Sequence, residues 1–248
     1  MTDVVGSVPI QLLELASGVV IHLRWIPLGR FLMGSPNDEA GRVNDEGPQH
    51  WVTLSRGFWL ADAPCTQAEW KVVMGTEPSD FKGNDLPVER VSWEDCQEFC
   101  NRLRSRHPGF EARLPTEAEW EYACRAGTTS AYNDGSACTE PGGKDPALEK
   151  LGWFDENSEN QTHPVRKKEA NRWGLYDMHG NVWEWCEDWF GDYNADDQVD
   201  PAGPASGCGR VFRGGSWYSL ARNCRSAKRL WWPLDDRNRS FGFRLASG

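Results

Sequence analysis

Short apolar runs broken by turn residues dominate the first sixty positions. Gly18-Val19-Val20-Ile21-His22-Leu23-Arg24-Trp25-Ile26-Pro27 reads as a strand, and Gly29 with Phe31-Leu32-Met33-Gly34 as a second. A polar loop rich in Asn, Asp, Glu and Gly, Ser35 to Pro48, separates these from the strand-like His50-Trp51-Val52-Thr53-Leu54 and Phe58-Trp59-Leu60. The chain therefore begins β-rich.

Three helix starts follow, each a hydroxyl N-cap with an acid three residues later: Thr66 with Glu69, Ser92 with Asp95, and Thr116 with Glu119. That spacing lets cap and acid satisfy each other's orphan backbone N–H groups. The first helix is short and ends at Gly75. The second puts Trp93, Cys96, Phe99, Cys100 and Leu103 on one stripe, and the third runs from Glu117 to Arg125 with Gly127 as its left-handed stop. Asp134 to Lys150 reads as Gly/Pro/acid-rich loop.

Beyond Gly152 no long helical period recurs. Short aromatic pieces alternate with Gly, Asn, Asp and Pro: Gly152-Trp153-Phe154, Pro164-Val165, Gly174-Leu175-Tyr176-Asp177, Val182-Trp183-Glu184-Trp185, Arg210 to Gly215, and Gly242-Phe243-Arg244-Leu245. Short strands between long ordered loops give an α+β class with much irregular structure. No repeat and no linker divides the chain: residues 1–19 read as an N-terminal extension or first strand, and 20–248 as one domain.

Composition narrows the functional classes. The chain has 248 residues and a net charge of -10, and carries 14 Trp against 5 Tyr. No stretch approaches the roughly 18 to 20 apolar residues of a membrane helix, and Met1 to Ile10 lacks the flank and core of a signal peptide. A soluble, cytoplasmic protein is expected, with neither membrane nor nucleic acid as partner. The charge is uneven, because from Arg210 onward nine Arg/Lys face only Asp235 and Asp236. This basic tail either pairs inside the fold with the acidic body or forms a ligand face, and arginines among turn residues usually fix loops. Arg213, Arg225 and Arg244 are expected to lock the framework through carboxylates such as Glu184, Asp188 or Glu121. The eight cysteines read as reduced thiols, and neither they nor the five scattered histidines show the spacing of a zinc or catalytic metal site.

Several phrases then carry a resemblance. Arg113-Leu114-Pro115-Thr116-Glu117-Ala118-Glu119-Trp120-Glu121-Tyr122-Ala123, Gly174 to Trp185 with its Gly180-Asn181-Val182-Trp183-Glu184 core, Arg213-Gly214-Gly215-Ser216-Trp217 and Gly242-Phe243-Arg244-Leu245 strongly resemble the formylglycine-generating enzyme (sulfatase-modifying factor) family. Pro87 to Trp93 and Ile26 to Ser35 match it too, so the likeness covers roughly residues 20 to 246. It implies a C-type-lectin-like domain with a small mixed sheet, two main helices and extensive loops. The chain is also similar to the variable proteins of diversity-generating retroelements, which share the Arg-Gly-Gly-Ser-Trp to Gly-Phe-Arg framing.

The family's activity must be carried over residue by residue. Active members oxidise a substrate cysteine to formylglycine with Cu(I) held by two cysteines five positions apart. Here the second position is Cys224, but the first is Ser219, and a protonated hydroxyl is a poor Cu(I) ligand. Copper and oxidase chemistry are not expected. The resemblance also implies a structural calcium at Asp177, Gly180, Val182 and Glu184, through two carboxylates and two carbonyls. Alternatively Asp177 caps a turn and Glu184 pairs with an arginine. The preferred reading is a non-catalytic domain that binds a ligand, a protein or peptide ahead of a small molecule. Its surface is formed by Tyr218, Ser219, Leu220, Arg222, Leu230, Trp231, Trp232 and Arg239, on loops. Alternatives are an oxidase acting through Cys224, and a retroelement variable protein. The tryptophans of the surface could instead close the core.

Overall fold

A computed structural model describes residues 8–248. The first two strands, β1 (Ile10–Ala16) and β2 (Val19–Ile26), form an antiparallel hairpin turned at Gly18, which takes φ +79°. In β2 Ile21 and Leu23 are buried on one face, and Ile26, on the opposite face, enters a second core cluster. Next come β3 (Gly29–Met33), β4 (His50–Leu54) and β5 (Phe58–Ala61), within a residue or two of the sequence reading.

The helices α1 (Gln67–Met74), α2 (Trp93–Arg106) and α3 (Glu117–Arg125) begin at Thr66, Ser92 and Thr116, all with reciprocal capping boxes. In α2 the expected stripe is real: Cys96, Phe99, Cys100 and Leu103 are wholly buried, and Phe99 stacks on Trp70 of α1 at 5.6 Å. The third helix ends differently from expectation, since Ala126 (φ +44°) takes the left-handed cap and Gly127 (φ +92°) follows it. Between α2 and α3 lies β6 (Ala112–Arg113). The segment read as loop up to Lys150 contains a one-turn helix, α4 (Leu148–Leu151), capped by Asp145, whose carboxylate takes four backbone N–H groups on both sides of it.

The remainder is β7 (Trp183–Trp189), β8 (Gln198–Val199), β9 (Arg210–Arg213), β10 (Arg229–Trp232), β11 (Phe241–Gly242) and β12 (Ala246–Ser247). Gly152–Phe154, Pro164-Val165 and Gly174–Asp177, read as strands, are ordered turns instead. Leu230-Trp231-Trp232, read as loop, are strand. Three sheets result, in the orders β1-β2-β5-β12-β6, β10-β9-β7-β11 and β3-β4-β8. Parallel pairs occur between β7 and β11 and between β4 and β8. No helix among the described residues is long and apolar enough to cross a membrane.

The basic tail pairs inward. Arg213 of β9 reaches Glu121 of α3, which also holds Arg125 at 2.8 Å. Arg229 of β10 forks onto Glu117 at 2.8 and 2.7 Å, Arg244 onto Glu184 at 2.6 and 2.7 Å, and Arg225 onto Glu46 at 2.6 and 2.8 Å. All nine of these residues are buried. Asp188, one of the expected carboxylate partners, accepts from the backbone N–H of Glu117 rather than from an arginine. Burial alone would raise the pKa of Glu121, but Arg125 and Arg213 outweigh it and hold the carboxyl below its ordinary value. With a depressed folded value, its contribution to stability is complete above the unfolded pKa and lost as pH falls through the folded one.

Glu121→Ala would leave Arg125 and Arg213 buried without this counter-charge, at an expected loss of about 3–5 kcal/mol. The shift of the urea midpoint at constant slope measures it.

Candidate functional site: an aromatic groove beside the edge strand

Strand β10 is the free edge of its sheet, and its register against β9 (Leu230 opposite Phe212, Trp232 opposite Arg210) sets which side chains face outward. Leu230 and Trp232 share one face by the two-residue period, and Arg229 and Trp231 the other. On the Leu230 side a cavity of about 330 Å³ opens, with Phe212, Trp183 and Phe241 below and Trp217, Tyr218 and Arg239 along the rim. The floor is aromatic and tightly packed, with Phe212 to Phe241 at 4.4 Å and Trp232 edge-on to Phe241 at 5.7 Å.

The rim is held by hydrogen bonds. Trp217 is buried, and its indole N–H donates to the Arg239 carbonyl at 3.0 Å while its own carbonyl accepts from Ser158 Oγ at 2.7 Å. The Arg239 guanidinium lies 5.0 Å over the Trp217 ring, and Asn238 and Ser240 add polar groups. Tyr218 is 65% exposed and Trp232 43%, so neither is needed to close the core. Such a groove suits an apolar or aromatic group with one or two acceptors to meet Arg239 and Asn238.

Of the eight residues expected on this surface, Tyr218, Leu230, Trp232 and Arg239 meet at the groove. The other four do not. Ser219 is buried in a turn, its hydroxyl accepting from Ser216 N–H at 3.0 Å, and Leu220 continues that turn away from the cavity walls. Arg222 donates its backbone N–H to Pro141 at 3.0 Å, and its Cβ lies against Gly41. Trp231, 44% exposed, leans toward Phe190 (6.4 Å) on the far face of β10. The sequence reading omitted Trp217 and the aromatic floor. Trp217 was visible in the Gly-Gly-Ser-Trp phrase, whereas Trp183, Phe212 and Phe241 come together only through β-pairing.

The copper positions offer a poor donor set. Ser219 Oγ is engaged with Ser216, and Cys224 is wholly buried among Ala131, Tyr132, Cys138 and Phe154, where burial pushes its thiol well above the ordinary range. Gly215 takes φ +78°, and a Cβ there would meet Cys224 Sγ at 2.5 Å, so the chain packs tightly over the sulfur. His179 is a buried tie: Nδ1 donates to the Cys224 carbonyl at 2.6 Å and Nε2 accepts from Asn133 N–H at 3.2 Å. Burial lowers its pKa to about 4.

The implied calcium ligands cluster, but these residues do not fit the ion. Both Glu184 oxygens accept from Arg244, and one also from the Trp120 indole N–H at 2.7 Å. The same guanidinium reaches the carbonyls of Ala61 and Tyr176 at 3.2 and 3.0 Å, so the Glu184 carboxylate is already neutralised by a fixed side-chain cation. Asp177, at φ +55°, accepts from Arg166 N–H at 2.8 Å and from Asn181 Nδ2 at 3.2 Å. Among the described residues no group of three His, Cys, Asp or Glu could hold a metal. Chelation should therefore leave the melting temperature unchanged, whereas Arg244→Met should lower it by the loss of a buried pair; calorimetry with and without chelator checks both.

Residues 18–248 match the model of the sulfatase-modifying factor enzyme 1-like domain. The formylglycine-generating enzyme of Thermomonospora curvata is 36% identical over 94% of each chain. That of Mus musculus is 32% identical over 80% of this chain, which spans only about half (53%) of the mouse enzyme. Among solved structures, Treponema denticola variable protein 1 superposes with a TM-score of 0.84 at 30% identity, covering 96% of this chain and 98% of that one. The mixed sheets, few helices and long loops are those of the C-type-lectin-like fold these proteins share. On the match over residues 18–248 and the agreement with whole relatives, this chain belongs to the sulfatase-modifying factor enzyme 1-like family.

Proposed function

We propose that this protein is a ligand-binding member of its family, without the oxidase chemistry of the formylglycine-generating enzymes. The groove carries the reading: Tyr218, Leu230, Trp232 and Arg239 converge over an aromatic floor and leave two large aromatic side chains in solvent. Exposed aromatics around a preformed pocket, with an arginine at the rim, are the composition of recognition hot spots. A protein or peptide presenting an aromatic or aliphatic side chain fits its size and polarity. The serine at 219 and the inaccessible Cys224 support the absence of copper chemistry.

The likeness to Treponema denticola variable protein 1 favours a more specific form, a retroelement variable protein. Trp231 and Trp232 bear on that form, because adenine mutagenesis of asparagine codons does not produce tryptophan codons. A template repeat beside the gene would decide it.

Panning a displayed random-peptide library on the protein should enrich peptides with a central aromatic or aliphatic residue. Tyr218→Ala with Trp232→Ala should weaken those peptides by about 2 kcal/mol, roughly thirtyfold in Kd, while the melting temperature stays near wild type. Peptides that bind the double variant equally well would place recognition elsewhere. Loaded with Cu(I) and freed of loose metal, the reduced protein should retain no copper and leave a sulfatase-type cysteine peptide unconverted in air, by mass spectrometry. Retained copper with loss of the peptide thiol would return the chain to the oxidases.

A further inference from the structure

A second cavity, of about 370 Å³, shares no residue with the groove. It lies between β4, the first turn of α3, the end of β7 and the loop from Gly191 to Pro204. Its apolar wall includes Met33, Pro201 and Pro204, and its polar wall sets the acceptors Asp188 and His50 beside the amides of Asn194 and Gln198.

Asp188, in this wall, is 4% exposed. Its Oδ2 accepts from Glu117 N–H at 2.8 Å, and among the described residues no donor reaches Oδ1. A Cβ on Gly203 would stand 3.3 Å from that oxygen, so the glycine, at φ +69°, keeps the approach to it open. His50, 5% exposed, donates from Nδ1 to the Pro48 carbonyl at 3.0 Å, and its Nε2 meets no partner among the described residues. The charged pair in the wall is closed on itself. Arg229 donates to Glu117 through two nitrogens, and its third donates to Gly191 O at 2.8 Å and Asp45 O at 3.2 Å. Asp192 adds a further carboxylate at the exposed side. Buried acceptors left without donors are costly, and this volume is roughly ten times one water's share of the liquid.

We infer that this cavity is a binding site for a primary alkylammonium group, either a small free amine or a lysine side chain. An ammonium carries three donors on a compact charge, which answers Asp188 Oδ1 and His50 Nε2 together. Its methylene stem lies along Met33 and the two prolines. The charged or titratable groups around Asp188 are Glu117 and Glu119 of α3, Arg210 of β9, Arg229 of β10, His50 of β4, and Asp192 and Tyr193 of the loop. Burial first, and then Glu117, push the Asp188 carboxyl up to about 8. Near neutrality the carboxyl is therefore largely protonated, and Oδ1 becomes an acceptor open to a cation only as that proton leaves. Affinity then rises with pH through that value, until the amine loses its own proton near pH 10.

The test is calorimetric titration of the full chain with n-pentylammonium chloride, with n-pentanol as the neutral isostere. Saturable binding of the ammonium is expected, with none of the alcohol. The affinity should rise roughly twentyfold between about pH 6.5 and 8.5, the ratio expected for ionising a carboxyl of pKa about 8. Asp188→Asn should lower it about tenfold. Nα-acetyl-lysine methylamide identifies the source, binding more tightly than pentylammonium if the natural ligand is a peptide lysine and less tightly if it is a free amine. Equal binding of alcohol and ammonium, a flat pH profile in the wild type, or no saturable heat, as for a cavity holding water only, overturns the inference. The wild-type pH profile decides even if Asp188→Asn fails to fold.

Discussion

The structure depends on buried arginine–carboxylate pairs. Arg213, Arg225, Arg229 and Arg244 are all wholly or almost wholly removed from water, and each meets a carboxylate donated by an element far away in sequence. A guanidinium without its partner in such a place costs several kcal/mol, so the pairs do little to raise stability over an apolar core but strongly penalise any other arrangement. That property suits a chain with short strands and long loops. Where the hydrophobic pattern is too brief to define register, a planar fork that must meet a carboxylate in one geometry defines it instead.

The pairs also explain the uneven charge. The acidic body and basic tail are two halves of one internal network, with Arg225 tying the tail to the polar loop at Glu46, Arg213 and Arg229 tying it to α3, and Arg244 to β7. Glu184, one of the residues the family resemblance implied as a calcium ligand, is neutralised by Arg244. A cation is present at that corner, supplied by the chain itself.

Strand β10 separates two cavities of opposite character. Arg229 faces one side, where it closes on Glu117 in the wall of the cavity that holds Asp188 and His50. Leu230 and Trp232 face the groove, which is aromatic and rimmed by donors. The two-residue period of a strand allows one short segment to wall both, and the anchored arginine keeps the edge strand in place for either.

Local signals were legible in the sequence because the interactions behind them are local. A hydroxyl cap and an acid three residues on gave α1, α2 and α3, since both groups lie within one turn, and alternation gave β2 to β5. The family phrases pointed to the fold, and arginine chemistry pointed to internal pairing. The tertiary structure alone decided which carboxylate each arginine meets, because Glu117, Glu121 and Glu184 are equivalent until the chain is folded. It decided that Trp232 faces the groove and Trp231 does not, since a strand register separates them. It turned Ser219 and Arg222 away from a surface their neighbour Tyr218 joins, because a single tight turn at Ser216 reverses the direction of successive side chains. The cavity at Asp188 and His50 was invisible for the same reason: its two polar groups are more than a hundred residues apart, and only the pairing of β4 with β8, in the loop that follows β7, brings both to one cavity.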